Sequence, residues 1–296
     1  MKRRDFLALG AAALTLPQRS FAASELALGE AKLITLSDGN LVLPGNFVLA
    51  NMDATEAEAI RLKFNLDPAS YTPPCNVTLW QSGTRNVLFD VGSGPDFMPS
   101  AGKLAEALDA AGLTPEDITD VVFTHAHPDH LWGLLDDFDE PLFANAQHYM
   151  GQAEFDYWTN PETVNTIGEA RTTFAAGAAR RLDIIAEQVQ FLNDGEEPIP
   201  GITARLTPGH TPGHMAFIVG GKAVIVGDAI SNNHVAFAKP GYAAPSDQDP
   251  EQAAASRISL LDQITADSLQ IVGFHLPGGG IGSVTREGDS YTYIEG

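Results

Sequence analysis

Between Thr124 and Leu131 the chain places three histidines and an aspartate within six residues, His125-Ala126-His127-Pro128-Asp129-His130. The apolar run Asp120-Val121-Val122-Phe123 stands directly before them and reads as a short strand, which puts the cluster on a strand-end loop. So many imidazoles and a carboxylate side by side are an electrostatic oddity in a plain loop and need a reason. Imidazole and carboxylate suit zinc and its borderline neighbours, and Pro128 stiffens the loop without competing for metal. In a near-extended segment residues two apart point the same way, so His125 and His127 can grip one ion while Asp129 and His130 turn past it toward a second. A chain with this cluster must fold so that distant ligands reach the end of that strand.

The required partners occur at the same kind of place. Asp228 follows the apolar run 223–226, His275 closes the run 269–274, and His210 lies in Thr207-Pro208-Gly209-His210-Thr211-Pro212-Gly213-His214. Further strands are predicted over 31–36, 77–80, 87–91, 189–192, 202–206, 282–286 and 291–294, and Gly220-Gly221 predicts a hairpin between 216–219 and 223–226. Helices are predicted over 101–111, with Leu104, Leu108 and Ala111 on one face, over 152–158 and 169–187, and from Pro250 onward, with Ala254, Ile258 and Leu261 sharing a face. Strand and helix mixtures in both halves predict an α/β fold with sheets inside and helices outside, a four-layer αββα sandwich. No linker or repeat divides the chain, so residues 23–296 read as one domain.

The pattern His-x-His-x-Asp-His at 125–130, followed by His210, Asp228 and His275, resembles the metallo-β-lactamase superfamily of binuclear metallohydrolases, with every motif position matched. The resemblance implies that His125, His127 and His210 bind one divalent ion, that Asp129, His130 and His275 bind a second, and that Asp228 bridges the two. Zinc is the expected metal, and manganese, cobalt or iron also suit these donors. Two ions sharing one water lower its pKa from 15.7 to about 7, so a metal-bridging hydroxide is the implied nucleophile. Asp228 and Asp129 are then the catalytic carboxylates, Asp129 passing a proton to the leaving group. Leu88-Phe89-Asp90-Val91-Gly92 resembles the family's strand and turn below the metals, where Asp90 either orients a ligand or simply forms the turn. From residue 30 onward the layout resembles the group of methyl parathion hydrolase, lactonases and arylesterases. That implies hydrolysis of a small ester, phosphotriester or lactone; a thioester hydrolase and a non-catalytic metal-binding accessory are the alternatives.

Other residues take lesser parts. His214 is expected in a structural role, His148 at a strand end or on the surface, and Cys75 as a small buried residue. Phe97, Trp158, His234 and Phe237 are candidates for a substrate pocket. The apolar segment 41–49 is read as a cover for a pocket or for a neighbouring subunit of a homodimer. Charge narrows the partners: 17 Lys and Arg against 38 Asp and Glu leave a net −21, which repels phosphate backbones and anionic membranes, so no nucleic acid is expected. With Cys75 as its one cysteine the chain forms no intramolecular disulfide and no thiolate cluster. Lys2-Arg3-Arg4, an apolar run at 6–16 and Ser20-Phe21-Ala22 read as an export signal over residues 1–22 that resembles the twin-arginine type. Its apolar run is too short for a membrane anchor, and the processed protein is expected in the periplasm.

Overall fold

In the computed structural model, which describes residues 24–296, the apolar runs pair into two stacked sheets. The export signal expected over 1–22 lies outside the described residues. Strands β1 (Ser24–Leu28) and β2 (Ala31–Asn40) form an antiparallel hairpin that starts the first sheet. β3 (Leu43–Pro44) and β4 (Ser70–Tyr71) make a two-stranded ribbon on either side of helix α1 (Ala54–Lys63). β5 (Pro74–Ser82), β6 (Arg85–Phe89), β7 (Asp120–Val122), β8 (Gln147–Gly151) and β9 (Val189–Leu192) complete the sheet in the order β1-β2-β5-β6-β7-β8-β9. Pairing from β6 to β9 is parallel, which demands long connections. Those connections hold α2 (Leu104–Ala110), α3 (Pro128–Leu131), α4 (Gln152–Thr159), α5 (Thr163–Thr166) and α6 (Thr172–Ile185).

The second sheet runs in sequence order through β10 (Ile202–Leu206), β11 (Met215–Val219), β12 (Ala223–Ile225), β13 (Gln270–Val272), β14 (Ile281–Glu287) and β15 (Ser290–Glu295). Its one parallel pair, β12 with β13, is joined through α7 (Val235–Ala238) and α8 (Pro250–Ala266). Alternation along the strands makes the layers. On β6, Val87 and Phe89 point between the sheets, where Phe89 meets Phe217 at 5.4 Å, while Leu88 joins Leu108 and Leu182 under the outer helices. On β12, Ala223 and Ile225 face the other sheet and Val224 packs with Leu260, Leu261 and Ile264 of α8. The result is the expected four-layer αββα sandwich. Among the described residues no helix is long and apolar enough to cross a membrane.

Three local expectations are corrected. The buried positions of α8 are Ala253, Arg257, Leu260, Leu261 and Ile264, so Ile258 turns to solvent and Ala254 lies at the margin. The face is rotated because the Arg257 guanidinium is satisfied indoors, donating to the carbonyls of Ala229, Pro240 and Tyr242 and to Asp247. Helix α2 starts at Leu104 and buries Leu104, Ala107 and Leu108, leaving Ala111 as its exposed C-cap. His148 is fully buried within β8 and stacked on Phe123 at 6.3 Å, with no hydrogen bond to either ring nitrogen. Burial pushes its pKa down to about 4, so the ring sits in the interior uncharged.

Candidate metal centre

The cluster after β7 is not a simple loop. His127 has extended backbone and is the N-cap of α3, and Pro128 takes the first helical position, where a missing N–H costs nothing. Asp129 and His130, expected on the loop, therefore occupy a single helical turn that carries them past His125 and His127. From the second sheet, Asp228 follows β12 and His275 follows β13, while His210 stands in the turn between β10 and β11.

These seven side chains converge, and all seven residues are buried. His125, His127, His210 and Asp228 each offer one atom within 4.8 Å of the others. His127 Nδ1 is 3.1 Å from His125 Nε2 and 3.0 Å from His210 Nε2, and Asp228 Oδ2 is 3.3 Å from His210 Nε2. His130, Asp228 and His275 form another such group, with Asp228 Oδ1 3.4 Å from His130 Nε2 and Oδ2 3.5 Å from His275 Nε2. Asp129 Oδ2 lies 3.1 Å from His275 Nε2 and 3.6 Å from His130 Nε2. A third group joins Asp129 and His275 to Cys75. Asp228 thus belongs to the first two groups at once.

Outer partners set the tautomers. His130 donates from Nδ1 to Asp90 (2.7 Å), His210 from Nδ1 to Asp247 (3.0 Å), and His275 from Nδ1 to the Pro74 carbonyl (2.8 Å). His125 Nδ1 is 3.0 Å from the Thr124 hydroxyl, whose own proton goes to Asp90. With Nδ1 committed outward, each Nε2 lone pair is aimed into the cluster. Asp90, buried and held at φ +64°, also accepts the Thr124 backbone N–H at 2.7 Å, so it orients a ligand as well as forming a turn. His127 Nε2, Asp129 Oδ2, His130 Nε2 and Asp228 Oδ1 are buried without hydrogen-bond partners. Five imidazoles and two carboxylates with inward lone pairs and orphaned polar atoms fit two divalent cations.

Electrostatics point the same way. Burial, reinforced by neighbouring imidazoles, drives His125 and His127 well below the usual histidine range, which leaves them neutral. Burial opposes a proton on His130 too, but Asp129, Asp228 and Asp90 outweigh it and raise the pKa to about 10. His275 is likewise carried well upward against burial, chiefly by Asp228. Burial alone would raise Asp129 and Asp228, yet His130 and His275 hold both below the usual carboxylate value. Carboxylates that pull protons onto adjacent rings mark a centre short of positive charge.

Several positioning residues escaped the sequence reading. Glu154, fully buried on α4, accepts from the Ala126 N–H and the Trp158 indole through Oε1 and from the Thr211 hydroxyl and Gly213 N–H through Oε2. One carboxylate thereby ties the His125–His127 segment to the His210 turn. Asp247 bridges His210 to Arg257, and Arg257 holds the Ala229 carbonyl just past Asp228. Asp38 accepts the backbone N–H groups of Ser93, Gly102 and Leu104 below the site. No local signal marks the ties that matter to the histidines: Glu154 reaches Ala126, Thr211 and Gly213 across 28 to 59 residues, and Asp247 reaches His210 across 37. His214 has its structural role: it donates to Thr207 and accepts the Asp228 N–H at 2.9 Å, which fixes the backbone of that carboxylate. Gly227 makes the contact possible, since a Cβ there would lie 2.6 Å from His214 Nε2.

A cavity of about 680 Å³ opens above the cluster, with His127, Asp129, His210, Asp228 and His275 at its floor. Leu41, Leu43, Phe47, Val48, Phe97, Met98, Ile167 and Phe174 make most of its wall, so segment 41–49 covers a pocket. Of the four pocket candidates Phe97 lines this cavity. Trp158 is fully buried behind His127, held by Glu154, and Phe237 is buried against Tyr293 beside α8; both are packing residues. His234 lies beneath the wall, accepting the Val235 N–H and packed between Phe64 and Tyr71, so Tyr71 faces the cavity in its place.

Comparison with known proteins agrees with this geometry. The family model described as metallo-beta-lactamase superfamily matches residues 71–275. N-acyl homoserine lactonase AttM of Agrobacterium fabrum is 30% identical over 122 residues, 38% of this chain and 40% of that relative, so the match spans well under half of the relative's length. The solved structure of AidC, a dizinc quorum-quenching lactonase in complex with a product, N-hexanoyl-L-homoserine, superposes with a TM-score of 0.85 at 25% identity, covering 93% of this chain and 97% of that one. The hydrolase AbOPH shares the fold with a TM-score of 0.83 at 24% identity over 92% of this chain and 96% of its own. Because the family model covers more than half of the chain, reaches into both sheets and includes all seven residues of the buried cluster, the chain belongs to the metallo-beta-lactamase superfamily.

Proposed function

We propose that the chain is a metal-dependent hydrolase that opens lactones bearing an apolar acyl group, of the N-acyl homoserine lactone kind. The observation that carries this is the cavity: a floor of ligand-type side chains under a largely aliphatic and aromatic wall, at a volume that suits a small amphiphilic molecule. The names of AttM and AidC support the same substrate class. In this reading His125, His127, His210 and Asp228 hold one divalent ion, Asp129, His130 and His275 hold the other, and Asp228 is shared. Zinc is the metal proposed, and when bound it supplies Lewis acidity that polarises an acyl oxygen and lowers the pKa of water from 15.7 to about 7.

The protein's part is placement and proton traffic. The wall takes the acyl chain and excludes water, leaving the ester over the floor. Asp129, an ionised carboxylate at the floor, would take up the proton released by the attacking water and deliver it to the leaving oxygen. Tyr71, whose phenol is pushed up to about 12 by burial, stays protonated and offers a donor to the same cavity. We further read the enzyme as acting after export, on the strength of the sequence at 1–22 alone.

The test is acid release from N-hexanoyl homoserine lactone, an aryl ester and a phosphotriester, before and after chelation. Chelator-sensitive turnover that favours the lactone is the expected result. Turnover that survives complete metal removal, or activity confined to the other substrates, rejects the proposal.

A further inference from the structure

The second half of the metal centre contains one polar atom that the proposed ligand set leaves unused. Cys75 is fully buried on β5, beside the register shift at Ser37/Gly39. Its Sγ, a carboxylate oxygen of Asp129 and a ring nitrogen of His275 lie mutually within 4.8 Å. Asp129, only 6% exposed, brings to this group the unpartnered Oδ2. The strand that carries the thiol also aims the imidazole, because the carbonyl of Pro74, the preceding residue, accepts the His275 Nδ1 proton and turns Nε2 toward the carboxylates. Cys75 also belongs to the apolar cluster of Leu36, Leu41 and Val77, so the thiol stands where that core meets the buried carboxylate and imidazole.

We propose that Cys75 is a thiolate ligand of the second metal position, alongside Asp129 and His275. The proposal rests on the reading of the cluster as a binuclear metal centre. On loading, the S–H bond breaks, its proton leaves to solvent and a sulfur–metal bond forms. A soft donor in one half of the pair makes that half prefer zinc or cobalt over manganese, whereas the half built from His125, His127 and His210 has nitrogen and oxygen donors alone.

The experiment exchanges the metals of the full-length protein for Co²⁺ and records its absorption spectrum. A thiolate-to-cobalt charge-transfer band in the near ultraviolet, at one thiolate per chain, is expected. Cys75→Ser should lose that band while keeping the visible bands of the other half, and should bind its second equivalent at least ~10-fold more weakly. The exposed-residue variant Phe138→Ser should retain both features. Two equivalents of bound cobalt with no charge-transfer band in the wild-type protein overturn the proposal and leave the binuclear reading intact. A chain that binds no cobalt overturns the binuclear reading and this one with it. The wild-type band decides by itself should Cys75→Ser fail to fold, and Cys75→Ala serves as the second variant.

Discussion

The floor of the cavity and its wall are built by different rules. Most of the ligand-type residues at and under the floor are held from behind by a hydrogen bond or a fixed backbone: His130 by Asp90, His210 by Asp247, His275 by Pro74, and Asp228 through His214. The wall side chains Leu41, Leu43, Phe47, Phe97, Met98 and Ile167 are held by packing alone and come from connections and short elements outside the two sheets. A ligand held by directional bonds keeps its angle when a neighbour changes, whereas a packed side chain shifts with whatever touches it. The difference teaches that reaction type is written into the floor and substrate range into the wall.

The largest effect should come from removing the carboxylate shared by both ligand groups. Asp228→Ala should lose bound metal and turnover together, roughly 10³-fold or more in rate, as judged by metal analysis and lactone hydrolysis on the same preparation. Full activity with two metals bound would break the distinction, because the floor would then tolerate what only a wall should. Glu154→Gln tests the support one step further back. Four donors point at this carboxylate, and an amide nitrogen cannot accept from any of them, so one of the two histidine segments must let go. Metal affinity should fall ~10 to 100-fold against a competing chelator, and stability by about 1–3 kcal/mol.

A pH series separates the floor from the core beneath it. His148 is neutral in the fold, with its pKa lowered by burial to about 4, whereas an unfolded histidine titrates near 6.5. Between those values the unfolded chain binds the extra proton, so stability from this group is present above pH 6.5 and is lost as pH falls toward 4. The loss is at most about 3 kcal/mol. His148→Leu should flatten the acid limb of the urea-unfolding curve over that window relative to wild type under the same metal conditions; an identical slope in both proteins would show that the ring is hydrated. Smallest of all should be a change in the wall. Phe97→Ala should raise KM for a long acyl lactone by roughly 10-fold, about 1–2 kcal/mol, with kcat almost unmoved. A matching fall in kcat would mean that Phe97 reaches the reacting atoms.

This contrast also explains what could be read in the sequence. The residues of the floor were legible because ligand chemistry restricts their identity and strand ends fix where they emerge, as with His125 after β7 and Asp228 after β12. The four layers followed from apolar runs at strand and helix spacing. Glu154, Asp247 and Arg257 were not legible, since an acid near a helix start or an arginine mid-helix reads as surface until its distant partners arrive. Arg257 also disguised the inner face of α8, and His148 had no sequence mark distinguishing a buried ring from an exposed one. Trp158 and Phe237 were aromatic enough for a pocket wall but were claimed by the layers behind it.

Side chains between Phe47 and Tyr71 form their own small apolar cluster, in which Val48, Leu49 and Ile60 meet Val235. They are clamped to the body by the Lys239–Glu56 ion pair and by donation from Asn51 to the Tyr242 hydroxyl and the Ala243 carbonyl. In mechanical terms this segment is a module docked on the body of the fold. None of the side chains that support the histidines and Asp228 from behind, Asp90, Asp247, Glu154 and His214, belongs to it, so its lining and the ligand geometry are separable parts of one site.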